Sequence, residues 1–150
     1  HMSESAEGKR YFDMTMEEIQ ALPEEERREL AREDAAKRLE DATKGVIRLS
    51  RKMKSRGGEV GELHYDFSVL TNKDFIGCMD ADRGNRSMGT ISRAQALRLY
   101  YKMNDKVERP ISGLDYHDLD EQAGIPDTEA MIEKASDFFT WLKLVAMTNR

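Results

Sequence analysis

The chain has 150 residues, 39% hydrophobic and 35% charged, with a formal net charge of -5 and a mean hydropathy of -0.74. That length holds one domain with its own core and excludes two large ones. The acidic balance excludes a dedicated DNA coat or membrane-surface protein, and no apolar run reaches the roughly 18 residues that span a bilayer.

The apolar share is low for a globular domain, so part of the chain is expected to pack thinly or only against a partner. A single cysteine, Cys78, excludes an internal disulfide and fits a reducing compartment. No signal peptide opens the chain, and His1-Met2 reads as a cloning scar. The expected location is therefore the cytoplasm.

Residues 3–12 are polar and aperiodic, which makes residues 1–12 a flexible lead-in. A charged helical arm follows over residues 13–44. Thr15-Met16-Glu17-Glu18 is a capping box that starts a short helix bearing Met16, Ile19 and Leu22. Pro23 interrupts that helix, because proline lacks an N–H and restricts the residue before it. Proline suits a first turn, so a second helix starts there and runs to about Thr43. Its exposed face carries pairs four apart: Glu24 with Arg28, Glu33 with Lys37, Asp34 with Arg38. Its apolar stripe (Leu30, Ala35, Leu39, Ala42) is thin, as in an arm or a face awaiting a partner.

Gly45 ends the arm, and a domain over residues 45–150 begins with a β-hairpin, 45–68. Ile47 and Leu49 alternate with Arg48 and Ser50; Gly57-Gly58 supplies the turn; Leu63, Tyr65 and Phe67 share the packed face. Helices fill residues 71–150. Thr71 and Asp74 form a capping box ahead of Phe75, Ile76, Cys78 and Met79. After a loop at Asp82–Thr90, Ser92 and Gln95 repeat the box before Leu97, Tyr100, Tyr101 and Met103. Pro110 and Gly113 mark a connection, and residues 115–123 form a short acidic helix. Asp127 or Thr128 caps the last helix, where Met131, Ala135, Phe138, Leu142 and Val145 share one face. A break at Ser136-Asp137 is an open alternative. Leu144 and Met147 point away from that stripe, as in a helix that docks on more than one side. The expected fold is mainly α (α+β): a compact helical domain with an N-terminal hairpin, preceded by the charged arm.

No residue set carries a reaction. Cys78 has only His64 and His117 as candidate bases and falls on an apolar helix side, where a buried structural thiol is the favoured reading. His117 and Glu121 share a helix face, but a solvated acidic face explains them better than a metal. Asp80-Ala81-Asp82-Arg83-Gly84-Asn85 opens like a calcium loop, then places its glycine one position early and Ile91 where the closing glutamate belongs. No glycine pair continues into a phosphate-binding loop. No cofactor is expected, and an enzyme ranks third among the readings.

Lys44, Arg48, Arg51, Lys52, Lys54 and Arg56 form a basic run without acids between Thr43 and Gly58. These are candidate nucleic-acid contacts. The plainer reading is a hairpin edge protected by charge, and no aromatics interleave to stack bases. Nine methionines are many for this length. Most suit an irregular core, and Met147 is the best candidate for an interaction surface.

The order of features from Val46 onward resembles the small tail assembly chaperones of long-tailed bacteriophages. Ile47-Arg48-Leu49-Ser50, a glycine turn, the second strand ending in Asp66-Phe67, and Leu70-Thr71-Asn72-Lys73-Asp74 leading into a helix carry the resemblance. Ala135-Ser136-Asp137-Phe138 before the apolar last helix extends it. Asn72 stands where that family has glycine, and Tyr100-Tyr101 stands in a helix that is usually alanine-rich. The resemblance covers roughly the last 105 residues, with no counterpart for residues 3–44. It implies a non-enzymatic protein of the bacterial host cytoplasm. Its partners would be the tape-measure protein and the tail tube protein, with self-association a further option and no membrane or cofactor. The expected contacts are Met131, Phe138, Phe139, Trp141, Leu144 and Met147. The runner-up is a small nucleic-acid-binding regulator using the basic hairpin, with the Ser92–Met103 helix reading bases.

Overall fold

The computed structural model describes residues 9–80, 91–106, 114 and 116–149. The fold is mainly α with one two-stranded antiparallel hairpin, in agreement with the sequence expectation. Contacts divide the chain into two units. One holds the described residues up to Asp41 and those from Thr140 on; the other runs from Ala42 to Phe139.

In the first unit a 3-10 turn, Tyr11–Asp13, precedes α1, Met16–Gln20. The capping box is present: Thr15 Oγ1 accepts from the Glu18 N–H at 3.2 Å, and Glu18 Oε1 accepts from the Thr15 N–H at 3.0 Å. These bonds satisfy donors that a helix start otherwise leaves unpaired. The Thr15 N–H, then Lys9, hold the Glu18 carboxyl below its ordinary range. The long helix α2, Glu24–Thr43, starts directly after Pro23. Met14 and Leu22 are buried, with Ile19 and Leu30 packed against them.

Asp34 and Arg38 correct the sequence expectation, which made them an exposed surface pair. Asp34 is buried between the small residues Ala31 and Ala35, which let neighbouring chain approach α2 closely. Its carboxylate accepts from the Phe12 N–H at 2.9 Å and from Arg38 Nε at 3.0 Å, and Arg38 also reaches Asp13 at 2.9 Å. Burial opposes the Arg38 charge, but the bonds to Asp34 and Asp13 outweigh it and raise its pKa. A buried carboxylate is tolerable when paired in this way. Residues 9–12, grouped with a flexible lead-in by composition, thus have defined partners, including Glu18 for Lys9.

In the second unit β1, Lys44–Ser55, pairs with β2, Gly58–Asp66. The turn glycine Gly58 has φ +128°, which disfavours any side chain. Ile47, Leu63, Tyr65 and Phe67 are buried on the expected face. Phe67 opens a 3-10 turn, Phe67–Val69. Gly45 differs from expectation. It is not a helix stop, because α2 runs to Thr43 and β1 begins at the next residue. Gly45 lies in the strand opposite Tyr65, and a Cβ there would come within 2.6 Å of Tyr65 Oη. The glycine makes room for the ring.

The helices α3, Asn72–Met79, and α4, Arg93–Lys106, both start on the expected boxes, Thr71 with Asp74 and Ser92 with Gln95. Gln95 also donates to the Met79 carbonyl at 2.9 Å, tying the two helices together. Then come α5, Tyr116–Gln122, and α6, Ile125–Thr148. The last helix is unbroken at Ser136-Asp137. It starts ahead of Asp127, so neither Asp127 nor Thr128 is its cap; both are buried in its first turn. Pro126 needs no donor there, which permits the earlier start.

The core of this unit is aromatic. Phe67 stacks on Phe138 with ring centroids 4.7 Å apart, and Tyr100 meets Phe67 and Tyr65 edge-on at 5.9 Å. The Tyr100 hydroxyl donates to the Met131 carbonyl at 3.2 Å, and burial pushes its pKa up. Ile76, expected on the apolar side of α3, is 65% exposed. The glycine-containing loop at 82–90, most of the calcium-like run, and the Pro110–Gly113 connection lie outside the described residues.

Candidate functional site

The six apolar contact candidates separate by burial. Met131 and Phe138 are buried in the aromatic core of the second unit, and Phe139 is half-buried with its ring 5.4 Å from Phe75. These side chains already have intramolecular partners. In the first unit Trp141 is half-buried. The Arg38 guanidinium lies 5.0 Å from its ring centroid, and Phe12 meets it edge-on at 5.2 Å. Leu144 is half-buried. Met147 alone of the six is exposed, at 53%.

By spacing Leu142 shares a helical face with Met131, Ala135 and Phe138, yet it is 41% exposed. Leu142 and Ala146, four apart, share one exposed side at the end of α6, and Met147, about 140° round the helix from Leu142, is exposed on another. Helical spacing marks a face but does not say where its covering ends, so sequence reasoning missed Leu142 as a surface residue.

The basic run is also exposed in full: Lys44, Arg48, Arg51, Lys52, Lys54 and Arg56. The register brings acids opposite it. Lys44 pairs with Asp66, Arg48 with Glu62 and Lys54 with Glu59, while Lys52 Nζ lies 3.8 Å from Glu59. Opposite charges in such positions stabilise a hairpin modestly. Between Arg48 and Met53 the strand bulges, so that residues 49–52 face Gly61 alone. Gln122 at the end of α5 and Asp127 in the first turn of α6 hold that bulge. Ser50 donates twice to Asp127, Gln122 exchanges two bonds with the Lys54 backbone, and Arg51 donates to the Gln122 carbonyl at 3.0 Å.

No family model, curated protein or solved structure matches the chain.

The candidates for chemistry come from three different elements. Cys78 is buried; burial first, then Asp74, push its thiol up, so it is protonated at neutral pH. His64 lies on the hairpin, 3.4 Å from Glu62, and His117 is exposed on α5. Among the described residues no three His, Cys, Asp or Glu side chains converge as they would around a metal. No helix among them is long and apolar enough to cross a membrane. A cleft of about 390 Å³ opens at the base of the hairpin beside Val46, Tyr65 and Met103. A second, of about 540 Å³, separates α3 from α4.

Proposed function

We propose that the chain is a tail assembly chaperone of long-tailed bacteriophages or prophages. It binds the helical tape-measure protein in the host cytoplasm, keeps it soluble until tube subunits replace it, and performs no reaction. The observation that carries this reading is the exposure of the apolar residues Leu142, Ala146 and Met147 at the end of α6. A tape-measure protein presents long apolar helical stripes, and a second helix face can cover them by helix-in-groove contact. Contact through a few residues per copy suits reversible binding at many sites without nucleotide hydrolysis. The motif order from Ile47 to Phe138 supports the same reading.

The nucleic-acid alternative is weaker, because Asp66, Glu62 and Glu59 stand opposite the basic strand and would repel phosphates. Co-expression with a tape-measure protein from the same genome, followed by affinity capture, tests the proposal. A soluble complex is expected. Insoluble tape-measure protein, with this chain eluting alone, would contradict it.

A further inference from the structure

Residues 9–13 cross one face of α2 like a strap. Asp34, Arg38 and Asp41 follow one another at spacings of four and three, so they line that face. The strap meets each of them. The Phe12 N–H donates to Asp34 at 2.9 Å, Arg38 binds Asp13 at 2.9 Å, and Arg10 lies 3.9 Å from Asp41. Lys9 binds Glu18 at 2.9 Å, and the Phe12 ring meets Trp141 edge-on. The hold is polar and shallow: Lys9, Arg10 and Asp13 are exposed, and Tyr11 and Phe12 are half-buried. Part-exposed ion pairs of this kind contribute little each and are screened by salt.

The strap can lift without unfolding what lies beneath. Its own turn is internally bonded, from the Asp13 N–H to the Arg10 carbonyl at 2.9 Å and from the Met14 N–H to the Tyr11 carbonyl at 3.1 Å, so it moves as one piece. Met14, buried with Leu22, anchors its trailing end, and α1 carries its own capping box from Thr15 onward. Asp34 keeps its bond to Arg38 when the Phe12 N–H leaves, so the buried carboxylate stays paired. We propose that residues 9–13 are a salt-releasable strap that gates Trp141. Lifting it takes Phe12 off the indole and leaves Arg38 beside the ring. That the freed indole then receives a tape-measure helix rests on the function proposed above; the opening itself does not, and is read on the chain alone.

Native-state hydrogen exchange of the full chain, followed by NMR, tests the strap. The Phe12 amide is the reporter, and the amide of Ala35, which is 0% exposed on α2, is the reference. At about 0.05 M NaCl the Phe12 amide should be about tenfold or more less protected than that of Ala35. Raising NaCl to about 0.5 M should widen the gap about threefold or more, because the ion pairs weaken. Lys9→Gln/Arg10→Gln should widen it similarly at low salt. Arg28→Gln, which breaks the exposed pair with Glu24 elsewhere on α2, should not. Equal protection of the two amides would overturn the proposal, because the strap would then open only with global unfolding. A gap that salt or the strap variant leaves unmoved, or that Arg28→Gln widens as much, would overturn it too. Each of these results leaves the co-expression test of the chaperone reading standing.

Discussion

Asp127 holds Ser50 through both carboxylate oxygens: the Ser50 N–H donates to Oδ1 at 2.7 Å and its hydroxyl donates to Oδ2 at 3.0 Å. The two residues lie 77 apart in sequence, so this contact fastens the start of the last helix to the hairpin bulge. Asp127 is 3% exposed. Gly124 lies beside it, where a Cβ would stand 3.1 Å from Ser50 Oγ.

Removing the clamp should therefore be costly. Asp127→Ala deletes two bonds to a charged acceptor and leaves the Ser50 N–H without its partner. The expected loss is about 2–3 kcal/mol, read as a fall in the urea midpoint. Gly124→Ala should cost less, because Ser50 and Asp127 need to give by only a few tenths of an ångström. If Asp127→Ala unfolds at the wild-type midpoint, the bulge is not held by this carboxylate.

Gly45 and Tyr65 give a coupled prediction. Gly45→Ala places a Cβ within 2.6 Å of the Tyr65 hydroxyl oxygen and should destabilise by about 1–3 kcal/mol through overpacking. Tyr65→Phe removes that oxygen, so the double variant should lose less than the two single changes combined. Equilibrium unfolding of the four proteins measures the coupling. Strict additivity would show that the ring does not press on the strand here.

Asp74 predicts an acid limb in stability. Its carboxyl is lowered from 3.8 to about 2, chiefly by Lys106 and then by the Thr71 N–H. Above about pH 4 it is ionised both folded and unfolded, and its full stabilisation is present. As pH falls below 3.8 the unfolded chain takes up the proton first, and the contribution is lost by about pH 2. Asp74→Asn should flatten stability across that window while keeping a shallower slope from Glu18, which is also lowered. Urea midpoints of both proteins across that range give the comparison. Identical slopes would contradict the Lys106 pairing.

Trp141, the only tryptophan, reports on the first unit. Phe12→Ala and Arg38→Gln each remove one of its ring contacts. Both should shift its fluorescence emission to the red without denaturant, whereas Met16→Ala, at a position 68% exposed, should leave it unchanged. Unshifted emission in Phe12→Ala would mean that the N-terminal turn does not cover the indole.

Much of the framework was legible because it is encoded locally. The Thr15–Glu18, Thr71–Asp74 and Ser92–Gln95 boxes each signal a helix start within four residues. The alternation of Leu63, Tyr65 and Phe67 signals a packed strand face. What escaped depends on distant partners. Asp34 and Arg38 have the spacing of a surface pair, and only the approach of Phe12 and Trp141 places them inside. The bulge requires Asp127 and Gln122, far along the chain, and no local turn signal marks it. Arg98 and Lys102 interleave along α4 with the core residues Leu97, Leu99, Tyr100 and Met103, and the cleft beside them has α3 as its opposite wall.

The most direct test of the chaperone reading is co-expression of the tape-measure protein with wild-type chain and with Leu142→Asp/Met147→Asp, followed by light scattering of the soluble fraction. Both side chains are exposed, so the variant should fold with an unchanged urea midpoint. The account predicts a soluble complex with several wild-type copies per partner, and an insoluble partner with the variant. A variant that solubilises the partner as well as wild type does, or a wild-type chain that leaves it insoluble, would contradict the account.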